Sequence, residues 1–327
     1  MSDKRKHIAV MTSGGDVPGL NACIRAVVRS ALYHGMTVHG VQNGFEGLID
    51  AQFIPMDATS VSNIIHLGGT ILRSSRSERF RTAEGRKQAA QNLQKQDIQA
   101  VVLIGGDGSF QGAKVFSQEH DIPFIGIPKT IDNDIFGTDQ AIGYDTALNT
   151  AMQAIDRIRD TAESHQRVFV VEVMGRDSGY IAYGAGIAGG AETILVPETR
   201  ADMDNLLATL KTGWGRVKSS IIIVVAEGDE TGGATNVAKL IKQHLPERYV
   251  GICILGHTQR GGCPTSADRI LAAKLGLGAI KAIENNNRNV MVGMVKGDLV
   301  LTPFSDVKRR HLELNAEAMS LIEELAF

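Results

Sequence analysis

The chain has 327 residues, of which 34 are Lys or Arg and 36 are Asp or Glu, so its formal net charge is only −2. A charge this balanced creates no global field that would attract nucleic acid or an anionic membrane. No run of ~18 apolar residues predicts a membrane span, and residues 1–6 lack the apolar stretch of a signal peptide. The three cysteines, Cys23, Cys253 and Cys263, are too few and too scattered for a disulfide framework or a zinc site. We therefore expect a cytoplasmic protein of roughly two domains.

The first predicted strand, residues 8–11, leads into the loop Ser13-Gly14-Gly15-Asp16. Pro18 then opens a run in which five apolar residues share one helical face: Leu20, Ile24, Val27, Val28 and Leu32. Glycine lets backbone N–H groups approach an anion closely, and the following helix directs its positive end at the same place. This arrangement of strand, glycine loop and helix predicts a phosphate site.

Two further polar loops follow apolar runs. Residues 101–104 lead into Gly105-Gly106-Asp107-Gly108-Ser109, where Asp107 is suited to holding Mg²⁺ rather than phosphate. Residues 122–127 lead into Pro128-Lys129-Thr130-Ile131-Asp132-Asn133-Asp134. Acidic side chains at the end of a parallel strand lie where open α/β sheets bind ligands, one suited to proton abstraction and the other to a metal ion. Three such loops in one chain predict a catalytic site.

The rest of the chain carries more strand-like runs and four more motifs. Apolar β-rich runs recur between helical patterns at 168–173, 193–196, 221–225, 252–255 and 290–295, which argues for parallel sheets. The motifs are, in order, Ser164-His165-Gln166-Arg167, Val173-Met174-Gly175-Arg176, Ala226-Glu227 and Gly256-His257-Thr258-Gln259-Arg260-Gly261-Gly262. Together with the three loops, this ordered set resembles the bacterial-type ATP-dependent 6-phosphofructokinase family over nearly the whole chain.

The resemblance implies an α/β fold of two domains, each with a mostly parallel sheet flanked by helices, and with chain segments exchanged between the domains. It places a nucleotide-binding domain at residues 1–143 plus 261–308. A sugar-phosphate-binding domain would comprise residues 144–260 plus 309–327. The implied assembly is a homotetramer, because the family residue matched by Arg167 reaches the active site of a neighbouring subunit.

The implied reaction is a glycolytic one, the transfer of the γ-phosphoryl group of Mg-ATP to the 1-hydroxyl of fructose 6-phosphate. Asp132 is the candidate base that takes the hydroxyl proton late in the transfer, with Thr130 helping to hold the reacting groups. Arg176 is the candidate for stabilising the transferred group, since a guanidinium is permanently charged and makes paired hydrogen bonds to phosphoryl oxygens. Asp107 and Asp134 are the candidate Mg²⁺ ligands.

The resemblance also supplies two binding sets. The sugar-phosphate set is Thr130, Ile131, Asp132, Arg167, Met174, Gly175, Arg176, Glu227, His257 and Arg260. The nucleotide set is Gly15, Phe45, Arg76, Ser77, Gly106, Asp107, Gly108, Ser109 and Gly112. In the nucleotide set Phe45 would stack near the adenine, although an aromatic residue at this place is otherwise a routine core residue.

Two positions bear on the phosphoryl donor, and they disagree. Gly108 is the ATP-type residue, because pyrophosphate-using relatives carry an aspartate there that would crowd and repel the nucleotide. Lys129 is the pyrophosphate-type residue. Gly108 carries more weight, since an obstructing carboxylate forbids nucleotide whereas a lysine can coexist with a triphosphate. A pyrophosphate-dependent enzyme stays open as the alternative.

One departure from the family concerns the acceptor. The family usually has an arginine six residues before the position of His257, as a second cross-subunit phosphate ligand, and this chain has Gly251. Arg248 lies three residues away, which is ~10 Å along a strand with the side chain on the opposite face. The departure predicts a weaker affinity for fructose 6-phosphate or a rearranged contact. It also leaves open a non-catalytic, sugar-phosphate-binding regulatory subunit, against which the retained reactive residues argue: Asp107, Asp132, Asp134 and Arg176.

Bacterial members of the family often bind ADP or phosphoenolpyruvate as an effector between subunits. The residues that match this allosteric site are Arg25, Arg29, Arg159, Glu192, Arg216 and Lys218. Ala58 and Asn63 depart from the site's usual residues. Arg25 and Arg29 are spaced i and i+4, so a solvated basic helix face explains them equally well.

Other enzyme classes fit less well. Gly184-Ala185-Gly186-Ile187-Ala188-Gly189 has the spacing of a dinucleotide fingerprint, but it precedes an apolar run instead of opening a helix after a strand. Close helix packing is the better interpretation of these glycines. The lipid and NAD kinase group shares a Gly-Gly-Asp-Gly loop but lacks the 128–134 sequence. The sequence contains no G-x-x-x-x-G-K-[ST] motif, which excludes a P-loop kinase.

Overall fold

The computed structural model describes residues 6–199, 206–207, 210, 220–315, 317–318, 320–321 and 324. The described residues form two compact units. Unit 1 lies within Met1–Asp145 and Arg260–Arg309, and unit 2 lies within Thr146–Gln259 and Arg310–Phe327. Each unit is therefore assembled from two separate stretches of chain. Which unit serves the nucleotide and which the sugar phosphate stays a prediction.

Strands and helices alternate along most of the chain. The strands are β1 (His7–Thr12), β2 (Thr37–Val41), β3 (Phe53–Met56), β4 (Ala100–Gly105), β5 (Phe124–Pro128), β6 (Val168–Val173), β7 (Thr193–Leu195), β8 (Ile221–Ala226), β9 (Val250–Ile254), β10 (Val290–Val295) and β11 (Asp298–Pro303). The α-helices whose bounds the structure describes are α1 (Leu20–Tyr33), α2 (Gly44–Ile49), α3 (Ala83–Lys95), α4 (Asp107–Glu119), α5 (Tyr144–His165), α6 (Tyr180–Ala188), α7 (Ala234–His244) and α8 (Ser266–Glu284). Short 3₁₀ turns occupy Arg79–Arg81 and Gly256–Arg260.

Unit 1 contains a seven-stranded sheet in the order β11-β10-β5-β4-β1-β2-β3. All neighbours run parallel except the pairs β2–β3 and β10–β11. The chain passes from β1 to β2 and β3 on one side and then to β4 on the other, so the strand order reverses between β1 and β4. Ligands of open α/β sheets bind at the carboxyl ends of the strands beside such a reversal.

The core of unit 1 lies on both faces of this sheet. Strands β1, β4 and β5 are apolar and almost entirely buried, as expected for parallel strands that are covered on both sides. Helix α1 buries most of its predicted apolar face but begins at Leu20, after Gly19 with φ 97°. Gly276 lets α8 approach α1 closely, because a Cβ there would lie 2.7 Å from the Cβ of Ala26.

Unit 2 contains a four-stranded, fully parallel sheet in the order β7-β8-β6-β9. The predicted α/β fold with mostly parallel sheets is thereby confirmed in both units. The dinucleotide-like glycines belong to α6 and its end, and a Cβ on Gly186 would lie 2.5 Å from Ile194. The interpretation as close-packing residues is confirmed for Gly186 and for Gly189, where a Cβ would lie 2.7 Å from Ile155. Among the described helices, none combines the length and the apolar character needed to cross a membrane.

Candidate active site

The three predicted loops of unit 1 emerge side by side. Strands β1, β4 and β5 are parallel neighbours, and their registers pair Thr12 with Ile104 and Gly105 with Pro128. Hydrogen bonds join the loops: the Ser13 amide donates to the Ile104 carbonyl at 3.0 Å, and the Lys129 amide donates to the Gly105 carbonyl at 3.0 Å. The Ser109 hydroxyl adds a bond of 2.9 Å to the Ser13 hydroxyl. The structure thus brings the predicted phosphate loops and the acidic loop to one edge of the sheet.

The second glycine loop opens helix α4. Gly106 precedes the helix in an extended conformation, and Asp107 and Gly108 are its first residues. The first amides of a helix have no partner inside the helix and carry its positive end, so they favour an anion. A Cβ built on Gly108 meets no atom within 4 Å. The fold itself therefore does not require glycine at this position, and open space lies where a nucleotide is predicted.

A cavity of about 410 Å³ lies beside the first glycine loop. Its lining residues are Gly14, Gly15, Asp16, Gly69, Thr70, Ser74, Ser75 and Arg76. The side chain of Arg76 is exposed, and the Ser74 hydroxyl donates to the Gly14 carbonyl at 2.6 Å. The cavity therefore combines a glycine loop with a cation, as a phosphate site requires. A cavity of about 500 Å³ at the amino ends of the strands contains none of the predicted site residues.

Lys129 is a buried cation at this edge of the sheet. It is 4% exposed, and its Nζ donates to the Gly15 carbonyl at 2.6 Å. Burial, and after it the charge of Arg260, lowers the pKa of Lys129 to about 8, although Asp16, Asp132 and Asp134 oppose the shift. Arg260 itself contacts the same loop, since its Nη1 lies 3.4 Å from the Asp16 carbonyl. The pyrophosphate-type lysine thus has a partner within the protein.

The acidic loop is held from inside by Asn133. This residue is 3% exposed and has a left-handed conformation, with φ 52°. Its Oδ1 accepts from the Ala141 amide at 2.9 Å, and its Nδ2 donates to the Asp139 carbonyl at 3.1 Å. The neighbouring acids Asp132 and Asp134 are only half-buried. Asn133 therefore anchors the loop from inside, between the two half-buried acids.

The two predicted metal ligands share a positive neighbour. One carboxylate oxygen of Asp107 and one of Asp134 each lie 3.8 Å from Nε of Arg309. Arg309 is placed there by a β-bridge with Ile135. No cluster of three or more His, Cys, Asp or Glu suited to a metal occurs within the described part of the chain. Mg²⁺ takes one or two carboxylates and completes its shell with water and substrate phosphates, so Asp107 and Asp134 have the donor chemistry for this ion, and Arg309 balances their charge without it.

In unit 2, Arg176 and Glu227 meet at the ends of adjacent strands β6 and β8. Gly175 and Arg176 have φ values of 152° and 55°, so the chain turns sharply after β6. The Arg176 amide donates to Oε1 of Glu227 at 2.8 Å, and the Glu227 amide donates to the Val173 carbonyl at 2.9 Å. Glu227 thus holds the backbone of Arg176, whose side chain is exposed. His257 is also exposed and follows β9, the other neighbour of β6.

Arg167 lies apart from these residues. It precedes β6, a strand of six residues, and so stands ~20 Å from Met174 at the other end. Its guanidinium carbon lies 4.2 Å from the ring centroid of Tyr249, a cation–π contact. A residue that serves a neighbouring subunit would be found away from its own unit's acceptor residues. The cross-subunit role stays a prediction.

The departure at Gly251 has a structural partner in Phe169. The two residues are register neighbours on β9 and β6, and a Cβ on Gly251 would lie 2.4 Å from the Phe169 ring. The phenyl ring therefore occupies the space through which an arginine side chain would leave the strand.

Gly251→Ala should consequently lower the free energy of unfolding by about 1–3 kcal/mol, the usual cost of overpacking. Chemical denaturation measures this loss. The double variant Gly251→Ala with Phe169→Leu should recover part of it. An unchanged stability of Gly251→Ala would contradict this packing.

Several predicted nucleotide residues have packing roles. Phe45 is 6% exposed, and its ring stacks on Phe80 with centroids 4.0 Å apart. Gly112 faces both rings, since a Cβ there would lie 3.6 Å from each. The Ser77 hydroxyl accepts from the Phe80 amide at 3.0 Å. Phe45 is thus a core residue and Gly112 is a half-buried neighbour of its ring, and their nucleotide contacts stay predictions.

The predicted allosteric residues differ in their surroundings. Arg159 donates to the Gly189 and Gly190 carbonyls, both at 2.6 Å, and so caps the end of α6. Glu192 accepts from the Ile222 amide at 2.7 Å. Arg25 is half-buried and Arg29 is exposed on α1. Arg216 and Lys218 lie outside the described residues. Arg159 and Glu192 have structural roles that need no effector, and the effector site stays a prediction.

Comparison with known proteins gives concordant matches. The family model named "Phosphofructokinase" matches residues 7–283. The chain is 49% identical to the ATP-dependent 6-phosphofructokinase 2 of Bacteroides thetaiotaomicron, over 98% of each chain. It is also 49% identical to the ATP-dependent 6-phosphofructokinase 1 of Thermus thermophilus, over 98% of this chain and 99% of the relative.

Solved structures agree in fold. Saccharomyces cerevisiae phosphofructokinase superimposes with a TM-score of 0.87 and 35% identity, covering 98% of this chain and 47% of the yeast chain. A pyrophosphate-dependent phosphofructokinase from Marinobacter aquaeolei has a TM-score of 0.86 at 22% identity, covering 98% of this chain and 91% of its own, and shows the shared fold alone. The family match and the full-length relatives establish that this chain belongs to the phosphofructokinase family.

Proposed function

We propose that the chain is an ATP-dependent 6-phosphofructokinase, a phosphotransferase that converts ATP and fructose 6-phosphate into ADP and fructose 1,6-bisphosphate. Its relatives at 49% identity carry that activity in their names. The observation that carries the proposal is the convergence of three loops at one sheet edge. They bring two glycine loops, the acids Asp107, Asp132 and Asp134, and open space at Gly108 together.

The donor half of the reaction draws on unit 1. Backbone amides of residues 14–16 and of the start of α4 would bind the phosphates, with Arg76 as an exposed cation beside them. Asp107 and Asp134 would hold Mg²⁺, which neutralises charge on the phosphates when it is bound. Asp132 would accept the proton of the attacking hydroxyl, and Thr130, whose Oγ1 accepts from the Asp132 amide at 3.1 Å, would keep this residue in place.

The acceptor half draws on residues proposed from unit 2. Arg176 would stabilise charge on the transferred group, because its guanidinium is exposed and its backbone is fixed by Glu227. His257 and the neighbouring subunit's copy of Arg167 would bind the sugar phosphate. We also propose a homotetramer in the cytoplasm, supported by the separation of Arg167 from the other acceptor residues. An ADP or phosphoenolpyruvate effector has weaker support, since Arg159 and Glu192 are engaged in packing.

The structure gives less support to the two alternative functions. The hypothesis of a pyrophosphate-dependent enzyme depends on Lys129, and the Nζ of this residue has a carbonyl partner inside the protein. The hypothesis of a non-catalytic binding subunit depends on Gly251, and the Phe169 ring fills the space beside this glycine. The acids proposed to hold Mg²⁺, Asp107 and Asp134, both lie beside Arg309.

The proposal is tested with purified protein, fructose 6-phosphate, Mg²⁺ and ATP. We expect ADP and fructose 1,6-bisphosphate in equal amounts, with the bisphosphate detected through aldolase. Fructose 1-phosphate serves as the matched control, because its 1-hydroxyl is already blocked, and it should give no bisphosphate. ADP release without bisphosphate would contradict the proposed acceptor chemistry.

A further inference from the structure

The first glycine loop has side-chain partners on three consecutive carbonyl groups. The Ser74 hydroxyl lies 2.6 Å from the Gly14 carbonyl, and Nζ of Lys129 lies 2.6 Å from the Gly15 carbonyl. Nη1 of Arg260 lies 3.4 Å from the Asp16 carbonyl. The three donors come from distant parts of the chain. Each of them bonds to a carbonyl oxygen of the loop, so these three bonds do not occupy the loop's N–H groups.

The central bond constrains the orientation of the loop. A trans peptide group is planar, and its C=O and N–H point in opposite directions. When Lys129 holds the Gly15 carbonyl, the Asp16 amide of the same peptide must therefore point away from the lysine. An anion-binding loop needs this arrangement, because a carbonyl turned toward phosphate would repel it.

The packing around the amine leaves little freedom. Lys129 is 4% exposed, and a Cβ built on Gly14 would lie 3.1 Å from its Nζ. Gly14 also has φ 85°, a conformation that favours glycine. Burying a cation is costly unless it is paired and hydrogen-bonded, so a lysine buried here needs a specific partner. The Gly15 carbonyl is that partner.

We propose that Lys129 is a positioning residue for the nucleotide: with Ser74 and Arg260 it fixes the carbonyl groups of residues 14–16, so that the loop presents its amides to the phosphates of ATP. This inference rests on the proposed function and deepens it. It gives the pyrophosphate-type lysine a role in an ATP-dependent enzyme, as a brace of the loop rather than a ligand of pyrophosphate.

The test compares Lys129→Met, which keeps the length of the side chain and removes the donor, with wild-type protein. We expect kcat/KM for ATP to fall by about 10- to 100-fold, the effect of losing a hydrogen bond that involves a charged group. The loss should lie mainly in KM for ATP, with KM for fructose 6-phosphate within about twofold, a change worth less than 1 kcal/mol. Unchanged ATP kinetics in a folded Lys129→Met protein would overturn the inference.

A second variant keeps the inference testable if Lys129→Met does not fold. Ser74→Ala removes the neighbouring, neutral bond, and KM for ATP should rise by about 2- to 10-fold. An unchanged KM for ATP in Ser74→Ala would then contradict the proposal that these side chains fix the loop. The wild-type assay distinguishes a failure of the proposed function from a failure of the proposed role of Lys129. A wild-type protein that is inactive with ATP would contradict the proposed function. An active wild type whose variants keep its ATP kinetics would contradict only the positioning role of Lys129.

The pH dependence offers a readout that packing alone would not give. Since the pKa of Lys129 is lowered to about 8, its amine is charged below that pH and loses its proton above it. The charged groups around it are Arg260, which lowers the pKa, and Asp16, Asp132 and Asp134, which raise it. In the wild type, kcat/KM for ATP should decline as the pH rises through about 8, because this parameter reports the free enzyme. Lys129→Met should lack this decline, and a decline that persists in it would contradict the assignment to Lys129.

Discussion

Replacing Asp132 by Asn should reduce kcat by about 10²- to 10⁴-fold, the usual contribution of a positioned general base. The carboxamide has nearly the same shape as the carboxylate, so the half-buried loop should keep its fold while losing the group that takes the proton. Asp132→Ser should show a loss in the same range. Steady-state or stopped-flow rates at saturating ATP and fructose 6-phosphate measure the effect.

Asp139→Asn is the matched control for Asp132→Asn. Asp139 is an exposed acid of the same chain segment, and its carboxylate accepts from the Lys296 amide at 2.6 Å, a bond that an asparagine oxygen can also accept. Its kcat should stay within about threefold of wild type, as expected of a surface change without a mechanistic role. If Asp132→Asn kept kcat within a few-fold as well, the assignment of the base would be wrong.

Replacing Gly108 by Asp should remove most ATP-dependent activity while leaving the protein folded. A Cβ at this position meets no atom within 4 Å, so the side chain has space in the free protein. Its carboxylate would stand at the start of α4, where the nucleotide phosphates are proposed to bind. Placing like charges against each other costs several kcal/mol, which corresponds to a loss of about 100-fold or more in kcat/KM for ATP.

Gly108→Ala separates charge from bulk in this experiment. An alanine adds only the methyl group, for which the free protein has room, and it also favours the helix slightly. A small loss in Gly108→Ala and a large one in Gly108→Asp would identify charge repulsion as the cause. Equal losses in the two variants would indicate steric exclusion, and no loss in Gly108→Asp would place the nucleotide elsewhere.

The sequence predicts the sheets better than their edges. Continuous apolar runs such as the one in β4 are recognisable because parallel strands are buried on both faces. The sequence does not predict β2, β3 and β11, because these strands are short or half-exposed and lack such runs. They include both strands that pair antiparallel at the ends of the unit 1 sheet.

The predicted loops converge in the structure, but the sequence does not predict which residues contact and hold them. Arg309 follows no motif, and only the folded chain brings it beside Asp107, about 200 residues earlier, and Asp134. The match of Phe169 to Gly251 depends on the register of β6 and β9, which spacing along the chain does not give. The sequence identifies Lys129 as a position that bears on the phosphoryl donor, yet its bond to Gly15 appears only in three dimensions.

Donor choice is the central claim, and one competition experiment tests it most directly. Purified protein is mixed with fructose 6-phosphate, Mg²⁺ and equal concentrations of ATP and pyrophosphate, and the reaction is followed by ³¹P NMR. We expect ATP to fall while ADP and fructose 1,6-bisphosphate rise one for one, with the pyrophosphate signal unchanged. Loss of pyrophosphate with release of orthophosphate and formation of the bisphosphate, while ATP persists, would contradict it.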